Sequence, residues 1–132
     1  MTTGDQGDRR QLGMAKMQEV YGFSVDPADL PGDYAAFTVD HLFGAVWTRP
    51  ALGIRDRRLM TIGALASLGL NELLEIQFSS ALERDELDEE QVREVVLHLT
   101  HYIGWPLSTG LNAAAERAIT RWRERADGAE GA

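Results

Sequence analysis

Residues 88–106, DEEQVREVVLHLTHYIGWP, constrain the fold of this chain more than any other stretch. Asp88 is a good N-cap, because its carboxylate can accept hydrogen bonds from orphaned backbone N–H groups. Gln91, three residues on, can reach back to close a capping box, and Leu87 and Val92 occupy the staple positions. Glu89 and Glu90 put negative charge in the first turn, where it suits the helix dipole. Gly104 and Pro106 stop the helix, since the residue before a proline avoids helical backbone. The helices before it can then be read as packing on this one.

Two stripes run along the helix. Val92, Val95, Val96, Leu99, Tyr102 and Ile103 carry the spacing of a buried face. Gln91, Glu94, His98 and His101 form a polar line at the same spacing. A carboxylate one turn from an imidazole can fix its tautomer and raise its basicity, as general acid/base work requires. Three readings of that line stay open. It is a half-buried polar seam at a subunit contact, an acid/base or ligand-contacting line, or a set of metal ligands. The last needs three or four ligands and a second shell, and no metal is expected.

Composition removes whole classes of chemistry. The chain of 132 residues has no cysteine. That excludes disulfides, thiolate nucleophiles, dithiol redox chemistry and cysteine-based zinc sites. Its length suits one domain, expected over 8–126, with disorder expected at 1–7 and 127–132. The formal charge of −8 argues against nucleic acid as a partner, which would need phosphate neutralisation. No apolar run approaches membrane-spanning length and no basic-then-apolar leader is present, so a cytoplasmic location is expected, without a membrane partner.

The remaining segments also read as helices. Residues 8–21 place Leu12, Met14, Ala15, Met17, Val20 and Tyr21 at helical spacing, with Gly22 as the stop. Asp26-Pro27 and Leu30-Pro31 mark a connection. A second helix from Gly32 takes Tyr34, Phe37, Leu42, Phe43 and Val46 as its apolar positions. His41, near its end, reads as a surface or packing residue or as an acid/base. After the turn at 48–53, a third helix covers about 54–69. Arg55, Arg57 and Arg58 stand at its N-terminus, on the wrong side of the dipole. They need carboxylate partners elsewhere or face an anionic ligand. Asn71 can cap a fourth helix, in which Gln77 can orient a ligand through its amide but cannot take a proton near neutral pH. The last helix begins near Leu107 and becomes strongly charged around Trp122, which suggests a partner surface or packing against another subunit. No stretch reads as a strand, and no phosphate-binding glycine loop or serine-histidine-aspartate arrangement is recognisable. The chain is expected to be all-α, with about six helices.

Over residues 37–118, about two thirds of the chain, HLFGAVWTRPALGIRDRRLMTIGALASLG, NELLEIQFSSAL and LDEEQVREVVLHLTHYIGWPLSTGLNAA follow one another in an order and spacing that resembles the carboxymuconolactone decarboxylase family. The resemblance implies an AhpD-like helical fold around a helical hairpin. It also implies a cofactor-independent site for a small molecule between helices near subunit contacts, in a homotrimer or homohexamer. The redox branch of the fold carries Cys-x-x-Cys-x-x-x-His with an earlier glutamate. Leu70, Leu73, Gln77 and Arg58 stand at those positions here, so a thiol peroxidase is excluded by chemistry. The decarboxylase branch is similar across FGAVWTRPAL, Arg57-x-Leu59, Glu94, Tyr102, Gly104 and Pro106, but usually has a histidine where this chain has Gln77. Decarboxylation leaves carbanion or enolate character that must be stabilised and protonated. Glu94 with His98, His101 or Tyr102 is then expected to supply the acid/base groups. Gln77 with Arg49, Arg57 or Arg58, or another arginine of the 55–58 group, is expected to bind the substrate and its carboxylate. The resemblance thus implies a carboxy-lyase acting on a small carboxylated lactone or related metabolite. A differently specific enzyme using the same pocket, or a non-catalytic oligomer whose site has lost its chemistry, is the alternative.

Overall fold

A computed structural model describes residues 3–130 of the chain. Among them are six α-helices and no strand, so the fold is all-α. The helices are α1 (Thr3–Tyr21), α2 (Tyr34–Ala36), α3 (Ile54–Leu68), α4 (Asn71–Glu83), α5 (Glu89–Ile103) and α6 (Trp105–Glu130). A short 3₁₀ turn, Pro27–Asp29, precedes α2. The chain divides into two compact units, residues 1–54 and 55–132.

In the first unit, α2 runs on directly as a π-helix, Phe37–Val46. Its closing bond is from the Trp47 N–H to the Leu42 carbonyl at 2.9 Å, five residues back rather than four. The wider turn changes which side chains face inward. Ala35, Val39, Phe43 and Trp47 are buried, a regular spacing of four. Tyr34 and Phe37, expected on the apolar face, are 87% and 71% exposed. The π-helix lies against α1, where Met17 and Val20 complete the small core. The two approach closely because Gly13 and Gly44 have no Cβ, which at Gly13 would fall 1.9 Å from the Val39 carbonyl oxygen. Arg10 and Asp40 form a two-bond ion pair beside this contact, at 3.0 and 2.9 Å.

The second unit is built on α6. Leu111, Ala114, Ala115, Ala118 and Ile119 are buried and form the face on which α4 and α5 pack. From α4 come Leu74, Phe78, Ala81 and Leu82, and from α5 Val92 and Val96. Full burial of a leucine or phenylalanine side chain is worth about 1.5–3 kcal/mol. This interior therefore outweighs any exposed polar contact in fixing the packing. Trp122 continues the α6 stripe one turn beyond Ile119 and packs against the same core. Its contact is thus within its own unit, although charged neighbours suggest a partner surface.

α5 has the ends expected of it. Asp88 Oδ1 accepts from the Gln91 N–H at 2.8 Å, and Gln91 Oε1 accepts from the Asp88 N–H at 3.0 Å. Gly104 follows the last turn at φ 90° and ψ 157°, a conformation open essentially to glycine alone. Pro106 does not delay the next helix. It sits in the first turn of α6, where a missing N–H costs nothing. α4 differs in one detail: Asn71 is its first residue rather than its cap, and Leu70 at the cap makes no side-chain bond.

Candidate functional site

α3 and α5 bound a cleft of about 550 Å³ within the second unit. Arg55 lies beside Glu86 just before α5 begins, and Gly63 faces the Leu99 side chain further along. The two helices therefore run in the same direction across the cleft. Leu59, Leu87, Val95 and Leu99 form apolar walls, with Met60 at the edge. Four polar side chains reach the same space: Arg55 from α3, and Gln91, Glu94 and His98 from α5. An apolar space with a few convergent polar groups is the usual form of a small-molecule site.

Helix geometry assembles the polar wall. Gln91, Glu94 and His98 are spaced three and four residues apart, so they stand above one another along α5. At a rise of 1.5 Å per residue, Gln91 and His98 are separated by about 10 Å along the axis. The His98 ring packs on Tyr102 one turn further on, with centroids 5.0 Å apart and planes tilted by 37°. Tyr102 is 78% exposed, so it supports the imidazole from outside the cleft rather than belonging to the buried face of α5.

His101 points elsewhere. Its Nδ1 lies 2.8 Å from the Leu97 carbonyl oxygen. A carbonyl oxygen only accepts, so Nδ1 carries the proton. The ring also meets Trp105 edge-on at 5.6 Å. His101 is not part of the cleft lining, which takes in His98 and Glu94.

The arginines at the start of α3 separate into different roles. Arg58 is 1% exposed. Its Nε and Nη2 donate to the two Glu86 carboxylate oxygens at 2.5 and 3.2 Å, and its Nη1 donates to Gln77 Oε1 at 2.9 Å. Arg84 donates from Nε to Glu86 Oε2 at 2.6 Å. Arg55 donates from Nε to the Glu86 main-chain carbonyl at 2.9 Å. Gln77 is 2% exposed, its carbonyl is engaged by Arg58, and it does not line the cleft. Arg57 is half-buried and also lies outside the lining. Arg49 belongs to the first unit. The structure thus brings together Glu94, His98 and, through ring contact, Tyr102. It sets Gln77, Arg58 and His101 apart from them.

Arg55 and Gln91 are the cleft residues that sequence reasoning underweighted. In the sequence Arg55 belongs to an undivided arginine group, and Gln91 stands both in the capping box and on the polar line with Glu94 and His98. The signal for Arg55 was its place one turn before Leu59, on the α3 side that faces α5. Among the described residues, no three or more histidines, aspartates or glutamates cluster so as to hold a metal ion. No helix among them is long and apolar enough to cross a membrane.

Residues 32–117 match the carboxymuconolactone decarboxylase family. The chain is also 33% identical over 95 residues to the 4-carboxymuconolactone decarboxylase of Acinetobacter baylyi, an alignment covering 69% of this chain and 67% of that protein.

Proposed function

The chain belongs to the carboxymuconolactone decarboxylase family, and from that premise we propose that it is a cofactor-independent carboxy-lyase acting on a small carboxylated lactone or related metabolite in the cleft between α3 and α5. The observation that carries this reading is the placement of Glu94 and His98 on one wall of an apolar space large enough for a single-ring substrate. The relative from Acinetobacter baylyi, named a 4-carboxymuconolactone decarboxylase, supports the reaction class.

In this reading the carbon–carbon bond to the leaving carboxylate breaks and carbon dioxide departs. The bonding electron pair passes into an adjacent carbonyl as an enolate. Protonated His98 then delivers its proton to the carbon left behind and regains one from water. Glu94 stands one turn away on the same wall of the cleft. Tyr102 restricts the ring to a pose facing the cleft. The apolar walls of Leu59, Leu87, Val95 and Leu99 offer the ring a surface to pack on. We place the protein in the cytoplasm as a homotrimer or homohexamer. Self-association is supported by the exposure of Met60, Leu97, Tyr102 and Trp105 on the second unit, at 57%, 54%, 78% and 64%.

A second reading has its own support. The resembling decarboxylases usually carry a histidine where Gln77 stands, and Gln77 is closed into a buried network with Arg58 and Glu86. In that reading the protein is a differently specific or non-catalytic oligomer. The deciding experiment is carbon dioxide release from 4-carboxymuconolactone by the purified protein, with and without chelator. Turnover that chelator leaves unchanged is the expected result. A folded protein that releases no carbon dioxide would overturn the decarboxylase reading in favour of the second.

A further inference from the structure

We infer that Arg55 is the anion-binding residue of the α3–α5 cleft, and that it selects small molecules bearing a carboxylate at the end of the cleft nearest Glu86. The inference deepens the decarboxylase reading and takes its substrate class from it.

The argument begins with Glu86. Three guanidiniums gather on this residue: Arg58 and Arg84 on its carboxylate, and Arg55 on its main-chain carbonyl. One carboxylate against three guanidiniums leaves this group with net positive charge, in a chain whose formal charge is −8. Arg58 is sealed inside by Glu86 and Gln77 and cannot meet a ligand. Arg55 differs, because its bond to a neutral carbonyl uses only Nε. That bond fixes the plane of the guanidinium without neutralising it. Among the described residues the two terminal nitrogens of Arg55 have no partner, and its side chain lines the cleft. A planar fork oriented from behind by a carbonyl is prepared for two parallel bonds to a carboxylate.

The rest of the cleft fits the same ligand. From the Arg55 end, apolar surface from Leu59, Leu87 and Val95 leads toward His98. A ligand with a retained carboxylate on Arg55 lays its ring along that surface and presents the carbon that loses carbon dioxide to the imidazole. Glu94, between the two, repels a second negative charge placed midway along the cleft. Arg55 is a positioning and specificity residue in this scheme, and the proton transfer belongs to His98.

The test is binding, read independently of turnover. The probes are 5-oxotetrahydrofuran-2-carboxylate, a one-ring lactone acid, and its methyl ester. They are titrated into the full-length protein while the methyl resonances of Leu59, Val95 and Leu99 and the ring resonances of His98 are followed. The acid is expected to shift these resonances and the ester to bind at least tenfold more weakly. Arg55→Gln should weaken the acid at least tenfold and leave the ester unchanged, and Arg55→Lys should restore part of the difference. Arg55 is exposed, so both variants should keep the wild-type spectrum away from the cleft. Equal affinity of wild type and Arg55→Gln for the acid would overturn the inference, as would an acid that leaves the cleft resonances unmoved. Arg55-dependent binding without carbon dioxide release would sustain the anion site while removing the decarboxylase reading. Turnover undiminished in Arg55→Gln would remove the anion site alone.

Discussion

Arg58 shows how a charged side chain can be taken fully out of water. Its guanidinium bonds both oxygens of Glu86 and the amide carbonyl of Gln77. Breaking such a buried pair from one side costs more than the pair is worth, because the remaining charge stays desolvated. Arg58→Met should therefore destabilise the protein by about 3 kcal/mol, read as a lower urea midpoint at unchanged slope. The double variant Arg58→Met with Glu86→Leu should recover part of that loss. An Arg58→Met protein as stable as wild type would show that the network contributes nothing to the fold. The sequence shows that these arginines need acidic partners or an anion, since they oppose the helix dipole. It does not show which, because Glu86 is 28 residues from Arg58 and lies in a turn. Pairings within one helix follow from spacing, whereas pairings across a turn depend on the packing of the whole unit.

α5 is the element most legible in the sequence, because every signal that shapes it is local. The capping box at Asp88 and Gln91 and the glycine stop at Gly104 all act within a few residues. The π-helix is the opposite case. An apolar pattern read at the α-helical period assigns Tyr34 and Phe37 inward, and the wider turn moves them outward. The seam between α5 and α6 carries a pH signature. Arg123 holds the Glu89 carboxylate below the usual carboxylate range by its hydrogen bonds, and Arg93 does the same for Glu116. A carboxylate with a lowered folded-state value adds stability above its unfolded value and loses it as pH falls through the folded one. Arg123→Gln should therefore destabilise the protein at neutral pH, and its penalty should fade well below the carboxylate range and in high salt. The effect is small, because both ion pairs are exposed to solvent. Denaturant unfolding of wild type and variant at about pH 7 and about pH 3 checks it, and an equal penalty at both values would contradict the assignment.

At the scale of the molecule, the all-α class and the order of the helices followed from periodicity and breakers. The family followed from three segments in sequence. The cleft did not, because it depends on the side of α3 that faces α5. Helical spacing placed Glu94, His98 and His101 on one line, but the structure turns His101 to the Leu97 carbonyl and Trp105 and leaves His98 on the cleft. The central claim is that chemistry in this protein takes place on the α3–α5 cleft through His98. Carbon dioxide release from 4-carboxymuconolactone by His98→Gln and His101→Gln tests it most directly, since both side chains are exposed and neither change should unfold the protein. The account predicts a loss of about 100-fold or more in His98→Gln, the scale of a general acid removed, and near wild-type turnover in His101→Gln. Full activity in His98→Gln, or loss confined to His101→Gln, would contradict it.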